Sequence, residues 1–87
     1  KYNGEYGITI YPNPVDDIIH LEGVLTYSEK VSWKIVEPCG KLVTSGTSNW
    51  YAGKNIEILD IQNFNPGMYL LYFTIGEKSM SVRLIRQ

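Results

Sequence analysis

The stretch NFNPGMYLLYFTI, residues 63–75, decides the fold. Met68–Ile75 is apolar at almost every position, so both faces of the element it forms must be covered. The run is short, rich in aromatic and β-branched residues, and bounded by Pro66-Gly67 and by Gly76. That combination predicts a central β-strand entered through a tight corner, not a helix. Helical periodicity is nearly absent elsewhere, and the apolar residues mostly alternate or fall in short blocks between Gly, Pro, Asn and Ser.

Working outward, seven strands are expected: 7–11, 18–21, 31–37, 42–48, 55–59, 68–75 and 80–86. Val31, Trp33 and Ile35 alternate with Ser32 and Lys34, the pattern of a half-buried antiparallel sheet. Met80, Val82 and Leu84 alternate in the same way, and Ile56 and Ile58 flank Glu57. Short strands with turn signals at near-regular spacing predict an all-β, immunoglobulin-like antiparallel sandwich of about seven strands. Its expected core holds Trp33, Ile35, Ile58, Leu71, Phe73, Val82 and Leu84. Tyr69 just after Pro66-Gly67 resembles the tyrosine corner of such sandwiches, whose phenol bonds to upstream backbone, here near residues 62–65. Leu71 stands where disulfide-bonded members place a cysteine. In EPCGK, residues 37–41, Pro38 suits the second position of a type I turn and Gly40 a left-handed closing residue.

The remaining corner is IYPNPVDD, residues 10–17. Pro12 and Pro14 each remove a backbone donor and push Tyr11 and Asn13 toward extended geometry. The chain must leave an edge and turn there, with Asn13 free to cap the turn and Asp16 and Asp17 keeping it wet. Prolines at that corner also discourage pairing with other chains.

Size and composition restrict the rest. With 87 residues, 44% hydrophobic and 20% charged, the chain is one globular domain near the lower limit for a core of its own. A net charge of -1 gives no general attraction to nucleic acid or anionic lipid, and no run suits membrane insertion. A chain starting at Lys1 without a signal peptide reads as part of something longer. The single cysteine, Cys39, permits no internal disulfide and no zinc site.

Chemical constellations are weak throughout. His20, the lone histidine, lies between Ile19 and Leu21 and reads as a structural strand residue. No G-x-S-x-G elbow is present to supply a nucleophile for it. Adjacent Asp16 and Asp17 lack the alternating acidic spacing of a calcium loop, so no metal or other cofactor is expected. Trp50 and Tyr51 have two readings: a loop whose Trp folds back over an open end of the sandwich, which is preferred, and a carbohydrate-stacking platform. No enzyme is expected.

Four stretches together resemble the type A C-terminal sorting domain of the type IX secretion system, found in one phylum of Gram-negative bacteria. IYPNPVDDIIHLE resembles its Y-P-N-P-x-x-D opening, matched at Tyr11, Pro12, Asn13, Pro14 and Asp17. KIVEPCGKLV is similar to its middle hairpin at Gly40, Lys41 and Val43, although Glu37 replaces the usual Asp and Pro38-Cys39 is additional. ILDIQNFNPGMYLLYF matches at Asp60, Ile61, Gly67 and Tyr69, with Phe64 in place of Leu. VRLIRQ resembles the closing strand, with Leu84, Ile85 and Arg86.

The resemblance implies a non-catalytic address label over residues 8–87, with residues 1–7 ending a linker from an N-terminally fused cargo. It implies recognition by the outer-membrane secretion machinery after passage through the periplasm, then a place at the cell surface or outside. In many members a surface sortase removes the domain. A carbohydrate-binding or adhesive module and an immunoglobulin-like spacer are the alternatives. Alternation along the last strand turns Arg83 outward and sets Arg86 beyond the anchored end, free to reach water or a partner.

Overall fold

The computed structural model describes residues 2–3, 7–12 and 14–87, with side chains from Gly7 onward. The described residues form eight strands: β1 (Tyr2–Asn3), β2 (Thr9–Tyr11), β3 (Ile18–Leu25), β4 (Glu29–Val36), β5 (Leu42–Trp50), β6 (Gly53–Asp60), β7 (Gly67–Ile75) and β8 (Lys78–Arg86). The seven expected strands are all present, most of them longer than the sequence pattern indicates. β1, within the stretch read as linker, pairs antiparallel with β2.

The strands make two four-stranded antiparallel sheets, ordered β1-β2-β3-β6 and β5-β4-β7-β8. With β2 taken as the first strand, the orders correspond to A-B-E and C′-C-F-G of an immunoglobulin-like sandwich. The doubly apolar run is central, as expected: β7 lies between β4 and β8, with Leu71 and Phe73 buried against the other sheet. Ile35 and Leu84 join them from β4 and β8, and Ile8, Ile10, Ile19 and Leu21 oppose them.

Three expected core residues behave differently. Ile58 is 58% exposed, because β6 has the opposite phase: Leu59 is buried while Ile56 and Ile58 face solvent. IEILDI offers two apolar series, 56/58 and 59/61, and a one-residue change of phase exchanges the faces of a strand. Leu59 and Ile61 take the interior, and the inward Glu57 accepts a hydrogen bond from the indole Nε1 of Trp50 at 3.2 Å. Trp33 and Val82 are half-buried against the core.

Two glycines inside strands make room for the tryptophans. Gly46 lies opposite Trp33 across β4 and β5, and a Cβ there would come 2.5 Å from Cζ2 of the indole. At Gly23 a Cβ would come 3.0 Å from Cζ3 of Trp50 and collide with Cδ1 of Ile8. Glycine in a strand interior marks such close approaches.

Candidate functional site

One end of the sandwich gathers all four signature stretches. β7 begins at Gly67, which pairs with Arg86 at the end of β8, and β4 ends at Val36 beside Leu70. The 37–41 turn therefore leaves at the same end of that sheet. In the other sheet Ile18 pairs with Asp60, which brings the start of β3 and the end of β6 there too.

Each corner has a local cause. Tyr69 is buried, and its hydroxyl donates to the Asn65 carbonyl at 2.6 Å, closing the expected tyrosine corner. Phe64 packs obliquely on the Tyr69 ring, with centroids 5.2 Å apart. Gly67 has φ +144°, a conformation that favours glycine, and so starts β7 directly after Pro66. The Asp60 carboxylate accepts from the Gln62 backbone N–H at 3.0 Å and so turns the chain out of β6. Gly40 has φ +95°, as its place in the turn requires, and its N–H donates to Glu37 O at 2.8 Å. Leu84 is buried in the core beneath the rim. Lys41 is exposed at the outer limit of the 37–41 turn.

The proline corner is fastened to the end of the last strand. The chain leaves β2 through a cis Tyr11–Pro12 peptide; Asn13 lies outside the described residues. Pro14 is exposed, whereas Val15 is fully buried and makes a parallel bridge beside Arg86. Its N–H donates to Ile85 O at 2.7 Å, and its carbonyl accepts from the Gln87 N–H at 3.0 Å. Asp17 contributes twice, with its carbonyl accepting from Ile61 N at 2.8 Å and its carboxylate lying 3.4 Å from Arg86 Nη2. The same Nη2 donates to Gln62 O at 3.2 Å.

Arg86 thus differs from its expected role. Its side chain is only 13% exposed and points back across the rim, joining the 11–17 corner, the 60–67 corner and β8. It is drawn inward because Asp17 supplies an anion and Gln62 a free carbonyl on that side. Val15 and Gln62 are the participants that motif reading misses. An apolar residue held between Pro14 and two aspartates was the available signal for Val15.

Above the rim, on the outer face of the first sheet, Tyr11 stacks on His20, with centroids 4.9 Å apart and planes 2° from parallel. Loss of hydration raises the Tyr11 phenol pKa, as does a hydrogen bond to Glu22. The Lys54 ammonium sits 2.8 Å from Glu22, and that bond raises its pKa as well.

The aromatic platform does not form. Trp50 is 2% exposed and packs on Phe73 at a centroid distance of 5.5 Å, so it offers no face to a sugar ring. Only Tyr51 is exposed, at 64%, in a turn whose backbone is held by Asn55 through bonds of 3.1 and 2.8 Å. Trp50 is covered, as the preferred reading expects, but it is an inward residue at the end of β5 and not part of a loop.

Residues 9–87 match the family described as the secretion system C-terminal sorting domain. The chain belongs to that family. No curated protein and no solved structure matches it. A type IX sorting domain is a signal for export to the cell surface or the exterior, and it implies contact with the secretion machinery. Of the residues that resemble the family's signatures, Asp17, Ile61, Ile85 and Arg86 take part directly in fastening the rim.

Proposed function

We propose that this chain is a non-catalytic address label whose folded rim is the surface that the secretion machinery reads. The observation that carries this reading is the fastening of the proline corner to β8 through Val15, Ile85, Gln87 and the Arg86–Asp17 pair. It makes Tyr11, Pro12, Pro14 and Asp17 one continuous feature with Gly67, Tyr69 and Arg86. A receptor meeting that end encounters a proline-edged surface with exposed aspartates, fastened at Val15 and Asp17, and segments already fastened lose less entropy on docking. Asn13 and the Gly40-Lys41 turn belong to the same label. Cargo precedes the domain, joined through residues 1–7; the cargo crosses the periplasm, and a surface sortase removes the label from it.

The test is a reporter carrying a signal peptide and, at its C-terminus, residues 1–87, expressed in a type IX-competent cell. The intact fusion reaches the surface or medium, whereas Arg86→Ala and Asp17→Arg fusions that stay folded remain in the periplasm. Export of neither the intact fusion nor the variants removes the label reading in favour of a spacer. Equal export of all three removes the rim.

A further inference from the structure

The outer face of the β5-β4-β7-β8 sheet has a composition that neither the core nor the rim explains. Val31 and Ile35 point inward on β4, so Ser32 and Lys34 point outward. Register then sets two complete rungs across four strands. One reads Thr47, Ser32, Thr74, Ser79, and the next reads Ser45, Lys34, Tyr72, Ser81. Six of the eight positions are serine or threonine hydroxyls, spaced by the roughly 4.8 Å between neighbouring strands. No side-chain hydrogen bond among the described residues engages any of the six. Lys30 and Arg83 occupy the flanking rungs, and no carboxylate projects from these strand positions on this face, although the whole chain carries a net charge of -1.

The face is also hollowed. A trough of about 450 Å³ runs over β5, β4 and β7, lined by the hydroxyls of Ser45, Thr47, Ser32 and Thr74 and edged by Tyr72. That volume lies in the range of small-ligand sites. Lys34 Nζ stands 5.3 Å from the centroid of the Tyr72 ring, so one cation and one aromatic face meet at the trough. A sheet face that needs only to stay wet ordinarily mixes charges of both signs. At its described strand positions this one concentrates donor–acceptor hydroxyls and carries no acid.

We propose that this trough binds an acidic polysaccharide. Each serine or threonine hydroxyl both donates and accepts, matching the paired donor and acceptor character of sugar hydroxyls. Tyr72 offers an aromatic surface with a polar tip, suited to the C–H face of a pyranose ring. Lys34, with Lys30 beyond it, supplies the positive charge that a uronate or other anionic substituent meets. The ligand lies across the strands along the rungs, because that is the direction in which the hydroxyls repeat. This site lies on a sheet face and not on the rim, so it is independent of the sorting proposal.

The test titrates the whole 87-residue chain with a fluorescently labelled oligogalacturonate and compares a neutral glucose oligomer, polyglutamate and single-stranded DNA. Saturable binding of the oligogalacturonate is expected, with each comparison probe at least about tenfold weaker. Thr74→Val keeps shape while removing a hydroxyl, and with Lys34→Gln it should weaken binding about threefold to tenfold per change. Tyr72→Ala should weaken it more, and Tyr51→Ala, an exposed aromatic off the face, should leave it unchanged. Thermal midpoints establish that each variant is folded, and Thr74→Val keeps the test decisive if Tyr72→Ala is not. Absence of saturable binding overturns the proposal, as does insensitivity to Thr74→Val. Equal binding of polyglutamate or DNA reduces the face to bulk charge, and equal binding of the neutral oligomer removes the acidic ligand; either result overturns it. Loss of binding on Tyr51→Ala overturns it as well.

Discussion

Arg86 and Asp17 are 69 residues apart in sequence, yet the guanidinium Nη2 lies 3.4 Å from the carboxylate. The two partners are unequal, because Asp17 is two-thirds exposed while the Arg86 side chain is nearly covered. An exposed pair contributes about 0.2–1 kcal/mol, so Asp17→Ala should lower stability by no more than that. Arg86→Ala also removes the covered stem and the bond to Gln62 O, and should cost about 1–2 kcal/mol. Urea denaturation of both variants and the double variant checks this; equal costs would mean that Asp17 alone matters to Arg86.

Tyr69→Phe deletes one hydrogen bond and leaves the Asn65 carbonyl without its 2.6 Å donor. The expected loss is about 1–2 kcal/mol, read as a lower denaturation midpoint at unchanged slope. An unchanged midpoint would show that water replaces the phenol at no cost.

The two glycine positions that receive tryptophans should respond unequally. Gly23→Ala drives a methyl between Ile8 and Trp50, both buried, and overpacking of that kind costs about 1–3 kcal/mol. Relief of glycine's unfolded-state entropy offsets only about 0.4–1 kcal/mol of this. Gly46→Ala approaches Trp33 more directly, but that indole is half-exposed and can move outward. Gly23→Ala should therefore be the more damaging change by thermal denaturation, and the reverse order would contradict the packing described.

Alkaline stability should depend on Glu22. Desolvation and the Glu22 hydrogen bond raise the folded-state pKa of Tyr11, and the bond and charge of Glu22 raise that of Lys54. Groups with raised folded-state values contribute fully below their unfolded values and lose that contribution as pH rises through the folded ones. The loss thus begins above about pH 10, where both groups titrate when unfolded. Glu22→Gln should move the alkaline unfolding limb to lower pH and let the Tyr11 ring titrate earlier by NMR. No movement of either would remove Glu22 as the common cause.

The sequence displays the sandwich more openly than the site. β7 is legible because a strand covered on both faces is apolar on both, and Tyr69 because the Pro66-Gly67 corner sets its place in the chain. β6 is misread because Ile56/Ile58 and Leu59/Ile61 are equally apolar series. Only the distant Trp50 indole, which finds its acceptor in Glu57, distinguishes them. The roles of Gly23 and Gly46 need knowledge of which tryptophan crosses them. Arg86 is legible as a motif residue but not as an inward clasp, since its direction is set by Asp17 and Gln62, neither of which neighbours it along the chain.

The bridge from Val15 to Ile85 and Gln87 also fixes when the corner can form. During synthesis the 11–17 segment emerges early, and the backbone groups that secure it emerge among the last residues of these 87. Contacts that span so much chain form late, after the intervening strands have docked. A polypeptide interrupted anywhere before residue 85 therefore has an unfastened corner, however well its first sheet has folded. The clasp makes the rim depend on an intact β8: a receptor that requires it discriminates against chains cut within that strand with no separate proofreading step.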